Sequence, residues 1–309
     1  MKALVIGNLR ESAQTLATLG FTLHTAPDGI AGIRKTLALT PEVVVLPVDL
    51  PHLNGINLAK ILDLLGVRIP LVFVSDDSRH RKRALAFPMT LAFLAGNEFA
   101  QGFDVALQER IKQARAASRG QEMAQAIRVS HHDWVNLLAI PGRKRILVVE
   151  DSEVISRYIL TVLESREDFE IYTAGDGLEG LHKAVTVNPD LILTDIQMPQ
   201  LDGLSMAQIL FILGKPFPLV FVTAHDENEL LTRARRLEGV LGYMLKARLR
   251  DTAAFEREVN HFLKTASTLR QTSQEVYRAG SLETLLQTGE GQGVMGEAFS
   301  TGAAKGAWS

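Results

Sequence analysis

Five side chains able to do oxygen and nitrogen chemistry follow short apolar runs in the second half of the chain. Glu150 and Asp151 come after Ile146-Leu147-Val148-Val149, Asp195 just beyond Leu191-Ile192-Leu193, Thr223 after Leu219-Val220-Phe221-Val222, and Lys246 after Tyr243-Met244-Leu245. If these runs are parallel strands of one sheet, their carboxyl ends lie along one edge and bring the five groups together. Three converging carboxylates repel one another, and a hard divalent cation with oxygen ligands relieves that repulsion. Mg²⁺ is the ion expected. A hydroxyl and an ammonium opposite the carboxylates then suit a tetrahedral anion, phosphate, held beside the metal.

The elements that must position these groups are legible in the periodicity. Uniformly apolar runs such as Leu219 to Val222 suit parallel strands covered on both faces. Between them come helical patterns of about a dozen residues, the spacing of crossover helices. Val154, Ile155, Tyr158, Ile159, Val162 and Leu163 recur so as to keep one helix face apolar. The pattern occurs twice. Phe21 to Gly29 lies over Phe169 to Gly177 at an offset of 148 residues, which then carries Gly32 onto Gly180, Pro41 onto Pro189, Gly55 onto Gly203, and Pro70-Leu71-Val72-Phe73-Val74 onto Pro218-Leu219-Val220-Phe221-Val222. So long a period marks a duplicated domain, not a solenoid. The expectation is α/β: two flavodoxin-like (βα)5 doubly wound parallel-sheet domains, residues 1–115 and 143–265, joined by a helical connector over 116–142 and followed by a helical, then flexible, tail over 266–309.

With its five separated positions, the stretch 143–265 resembles the receiver domain of two-component response regulators. By that resemblance Asp195 is the phosphoacceptor, attacking a phosphohistidine on a sensor histidine kinase or phosphotransfer protein. Glu150 and Asp151 would place Mg²⁺ together with Asp195 and the main-chain carbonyl of Gln197. Thr223 and Lys246 would bond the phosphoryl group, Tyr243 would follow the threonine inward as a switch, and Gln197 and His225 would tune hydrolysis. One position departs from the family: Ala247 stands where a proline, commonly preceded by a cis bond, is usual. A cis bond before a non-proline residue costs about 2.5 to 4 kcal/mol, so a trans loop with Lys246 displaced is the alternative.

The same registers in the first copy give Gly7 for Glu150, Asn8 for Asp151, Pro47 for Asp195, Ser75 for Thr223 and Gly96 for Lys246. Only the hydroxyl survives, so this copy resembles a pseudo-receiver. Asp49, two residues past Pro47, reads as a turn cap in preference to a replacement acceptor. Arg79-His80-Arg81-Lys82-Arg83 reads either as a solvated helix start or as a surface for an acidic partner.

Between the copies, Met123, Ile127, Ser130, Trp134 and Leu137 form a heptad-type seam. Two heptads do not decide between packing on a receiver and pairing in a homodimer. His132-Asp133-Trp134-Val135-Asn136-Leu137-Leu138 resembles the phosphoacceptor box of some histidine kinases and sporulation-type phosphotransferases, which would make His132 a phosphohistidine. Against this, strand Ile146 to Val149 begins too soon for the second helix of a phosphotransfer hairpin. Residues 280–309 hold seven glycines and four charged side chains, a composition that suits flexibility.

Composition bounds the rest. The chain has 309 residues, no cysteine, and 33 Lys plus Arg against 35 Asp plus Glu, a net charge of -2. Disulfide and thiolate chemistry are excluded, and nothing favours a general polyanion binder, so nucleic acid is not the expected partner. Neither a signal peptide nor a membrane span is evident, so the expected location is the cytoplasm. The function expected is that of a response regulator without a DNA-binding output domain or a stand-alone catalytic domain, acting on a downstream protein target. The alternatives are a phosphorelay protein using His132 and an unphosphorylated scaffold.

Overall fold

The computed structural model describes all residues except 52, 104, 120–142, 216, 225–231, 235, 238 and 280–309. The seam and His132 in the connector, His225, and the glycine-rich tail therefore lie outside the described residues. The chain divides into two compact units, Met1–Arg128 and Val129–Ser309.

In the first unit the strands are β1 (Lys2–Ile6), β2 (Thr22–Ala26), β3 (Val43–Pro47), β4 (Leu71–Val74) and β5 (Thr90–Leu94). In the second they are β6 (Lys144–Val149), β7 (Phe169–Ala174), β8 (Leu191–Thr194), β9 (Leu219–Thr223) and β10 (Val240–Leu245). The sheet orders are β2-β1-β3-β4-β5 and β7-β6-β8-β9-β10, every pairing parallel. These are two flavodoxin-like α/β sheets with flanking helices, as the duplication predicts. β3, β4, β8 and β9 are buried almost throughout, which explains their unbroken apolar sequences.

The shared residues of the repeat are structural. Asp28 and Asp176 cap the helices Gly29–Leu39 and Gly177–Val187, accepting backbone N–H bonds, and those helices end on left-handed Thr40 and Asn188. Gly55 and Gly203 begin the helices Gly55–Leu64 and Gly203–Ile212 hard against the preceding strand. A Cβ on Gly203 would lie 2.0 Å from the Asp195 carbonyl oxygen, and one on Gly55 would lie 2.2 Å from that of Pro47.

The last helix runs over Thr252–Ala279, and Phe255, Val259, Phe262, Ala266 and Leu269 along it join the core of the second unit. One element departs from the sequence reading. Helix Glu153–Leu163 buries Ile159, Val162 and Leu163, but leaves Val154 80% exposed and Tyr158 38% exposed. At about 100° per residue the six apolar positions span about half the helix circumference. The sheet covers only the portion centred on Ile159 and Val162.

Candidate functional site

The topology places the five groups. β6 and β8 are neighbours with Val149 opposite Thr194, so Glu150 and Asp151 emerge beside Asp195. β9 and β10 pair with Thr223 opposite Leu245, which puts Lys246 one residue past the threonine. The backbone holds this edge: the Glu150 N–H donates to the Ala174 carbonyl at 3.0 Å, and the Asp195 N–H to that of Val149 at 2.9 Å.

Glu150, Asp195 and Thr223 are buried, whereas Asp151 faces solvent. The Lys246 ammonium donates to Asp195 Oδ2 at 2.6 Å and to Glu150 Oε1 at 3.0 Å. Glu150 Oε2 also lies 2.9 Å from Nζ, yet outside hydrogen-bonding geometry, so this buried oxygen has charge attraction but no bond. The Gln197 N–H donates to Asp195 Oδ1 at 3.3 Å, and the Ser152 N–H to Glu150 Oε1 at the same distance. Tyr243 lies on β10, partly buried, three residues before the lysine.

Burial raises the Glu150 carboxyl above the usual range, against the pull of Lys246. Burial also works against the Lys246 charge, but hydrogen bonds to Asp195 and Glu150 outweigh it and hold the ammonium above its ordinary value. One carboxylate oxygen each from Glu150, Asp151 and Asp195 lie within 4.8 Å of one another. The Lys246 ammonium contacts two of these three acids, and among the described residues one buried oxygen, Glu150 Oε2, finds no hydrogen-bond donor. An all-oxygen donor set with that deficit fits a hard divalent cation.

The Lys246–Ala247 peptide is trans, yet Lys246 is not displaced. The chain enters a 3-10 turn, Lys246–Arg250, directly from β10, with the ammonium over Asp195. Sequence reasoning overlooked Thr194, a fully buried hydroxyl that donates to the Asp195 carbonyl at 3.0 Å. The repeat offered a signal, since Leu46 occupies the matching position in the first copy. It also overlooked Gln200, whose Nε2 reaches Asp176 Oδ2 at 2.6 Å and ties the loop after Asp195 to a neighbouring helix cap.

In the first unit the corresponding edge is sealed. Val74 pairs with Leu94 where Val222 pairs with Met244, so Ser75 and Gly96 stand at the ends corresponding to Thr223 and Lys246. Gly7 has φ of +77°, and a Cβ there would lie 2.9 Å from Leu50 Cδ2 and 3.1 Å from Pro47 Cγ. Hydrocarbon fills the space a carboxylate would need. Asp49 is exposed, and among the described residues the acidic trio of the second unit is the one cluster with metal-ligand spacing. Of the basic run, Arg79 is bidentate to Asp77, Arg81 donates to the Phe93 carbonyl at 3.1 Å, and Lys82 and Arg83 are exposed.

Comparison with known proteins places the second unit in a family. A model of the response regulator receiver domain matches residues 146–254. The transcriptional regulatory protein PdtaR of Mycobacterium tuberculosis is 34% identical over 170 residues, covering 50% of this chain and 77% of PdtaR. The chain belongs to the response-regulator family. The receiver is also 39% identical over 122 residues to the alkaline phosphatase synthesis transcriptional regulatory protein PhoP of Bacillus subtilis, covering 39% of this chain and 47% of PhoP. It is 39% identical over 104 residues to a protein-glutamate methylesterase/protein-glutamine glutaminase of Caldanaerobacter subterraneus, covering 33% of this chain and 28% of that protein. The chain thus spans less than half the length of these last two relatives. Among the described residues no helix is long and apolar enough to cross a membrane.

Proposed function

We propose that the second unit is a phosphorylatable switch and the first a pseudo-receiver that serves as a docking or dimerising module. The observation that carries the reading is the Lys246 ammonium on Asp195 Oδ2, beside an acidic trio whose charge it cannot balance. The phosphodonor is a phosphohistidine on a sensor kinase or phosphotransfer protein. An Asp195 carboxylate oxygen attacks phosphorus; the O–P bond forms as the P–N bond breaks, and the electron pair returns to the imidazole, which takes up one proton. Glu150, Asp151, Asp195 and the Gln197 carbonyl would hold Mg²⁺, which when bound neutralises charge on the phosphoryl oxygens. Lys246 moves from the carboxylate to the new phosphoryl oxygens. Phosphorylation adds about 1.5 to 2 negative charges, and the Thr223 hydroxyl turns to meet them, with Tyr243 filling the space it leaves. Gln197 and His225 set access of hydrolytic water. The output is a changed contact with a protein target in the cytoplasm.

Incubation with acetyl phosphate and Mg²⁺, followed by mass mapping, tests the reading. One phosphoryl group on Asp195, lost in Asp195→Ala, is the expected result. Undiminished aspartyl labelling in Asp195→Ala would overturn the assignment. Acid-labile phosphate on His132 would mark the chain as a relay, and no labelling at all a scaffold.

A further inference from the structure

We infer that Thr194 is a positioning residue for the metal and phosphoacceptor site, an inference that rests on the function proposed above. Thr194 closes β8, in a layer where the strand needs only apolar side chains; the matching residue of the first unit, Leu46, is just as completely buried. The fold therefore accepts hydrocarbon at this position, and a buried hydroxyl is unfavourable unless it is bonded. Its bond goes to the carbonyl of the acceptor residue itself, Thr194 Oγ1 to Asp195 O at 3.0 Å.

That bond lies at the start of the segment that presents the acceptor. The Asp195 carbonyl is held between the Thr194 hydroxyl and the backbone of Gly203, where a Cβ would come within 2.0 Å of the carbonyl oxygen and 3.0 Å of Oγ1. The next carbonyl, of Ile196, accepts from the Gly203 N–H at 2.9 Å. The two peptides between Asp195 and Gln197 are thus clamped at successive oxygens. From that segment the Gln197 N–H reaches back to Asp195 Oδ1, opposite the Lys246 ammonium on Oδ2. A shift of the Asp195–Ile196 peptide would be passed along the chain to the following peptide, weakening the Gln197 N–H bond that orients the acceptor and disturbing the residue whose carbonyl is assigned to the metal. In the first unit Gly55 closes on the Pro47 carbonyl in the same way, but Leu46 supplies no donor and no acid needs aiming. The hydroxyl is present in the copy that carries the acid and absent from the copy that lacks it.

The test compares Thr194→Val, which keeps the shape and removes the hydroxyl, with Thr194→Ser, which keeps the hydroxyl, in the full chain. Three readouts are needed: Mg²⁺ affinity by calorimetry, amide hydrogen exchange at Gly203 and Gln197 in metal-free protein, and labelling rate with acetyl phosphate. The valine variant should melt close to wild type, bind Mg²⁺ about tenfold more weakly, as loss of a supporting hydrogen bond around a metal site commonly does, label correspondingly slowly, and exchange the Gly203 amide faster. Serine should restore all three. Unchanged Mg²⁺ affinity and unchanged Gly203 exchange in Thr194→Val would overturn the inference, as would a serine variant no better than valine. Should valine unfold the unit, Thr194→Ala set against Thr194→Ser reads the hydroxyl in its place. Wild-type protein that binds Mg²⁺ but takes up no phosphate would sink the phosphotransfer reading and leave Thr194 to be judged on affinity and exchange. If wild type binds no Mg²⁺, exchange alone decides it.

Discussion

Lys246→Met is the substitution whose cost the site geometry constrains most tightly. In the metal-free protein the ammonium serves Glu150 and Asp195, whose side chains are 1% and 10% exposed, and is itself only 13% exposed. Breaking a buried pair by removing one partner costs about 3 to 5 kcal/mol if the remaining charge must stay. The carboxyls have a cheaper route, because Glu150 is already raised by burial and can take up a proton. Protonating a carboxyl whose unfolded value is about 4.3 costs roughly 3.7 kcal/mol at pH 7 and roughly 1 kcal/mol at pH 5. A group whose folded value lies above its unfolded one contributes stability at low pH that is lost as pH rises. The deficit of Lys246→Met against wild type should therefore grow from about 1 kcal/mol near pH 5 to about 3 to 4 kcal/mol near pH 7. Saturating Mg²⁺ should shrink it, because the cation restores the missing charge. Urea unfolding followed by circular dichroism measures this, and the transition that Mg²⁺ shifts identifies the second unit. A deficit that is negligible, or that stays flat between pH 5 and 7, would refute the shared-counterion argument.

Two further outcomes concern the first unit. Thr36 is fully buried with a hydroxyl that finds no partner among the described residues, and Ala184 takes its place in the second copy; Thr36→Val should stabilise the first unit by about 1 kcal/mol in thermal or urea unfolding. Asp77 is held at about 2, chiefly by its hydrogen bonds from Arg79, so NMR titration should find its midpoint there and Arg79→Ala should return it to the ordinary carboxylate range. Because that folded value is depressed, any stability the pair adds is present above the ordinary carboxylate value and lost as pH falls towards 2.

Most of the site was readable in the sequence because strand ends are readable. A parallel strand buried on both faces shows as an unbroken apolar run, and the charged residue that follows it lies at the sheet edge; the positions of Asp195 and Lys246 follow from that logic. The 148-residue repeat then supplied an internal comparison that exposed the missing acids of the first copy. What escaped depends on partners and not on patterns. Val154 and Tyr158 belong to the same apolar stripe as Ile159 and Val162, and only the position of the sheet decides which pair is covered. Thr194 looks like one more strand residue until its hydroxyl is seen on the Asp195 carbonyl. The Lys246 ammonium could be assigned to the acceptor from the resemblance, but its second bond, to Glu150, required the distance between β6 and β10.

The sealed edge of the first unit has an evolutionary consequence. Gly7 combines a left-handed backbone with the Leu50 and Pro47 side chains packed against it, so an acid introduced there would strain the backbone and push both side chains aside. An acid at that position therefore begins at a disadvantage, before any second acid could join it to share a cation.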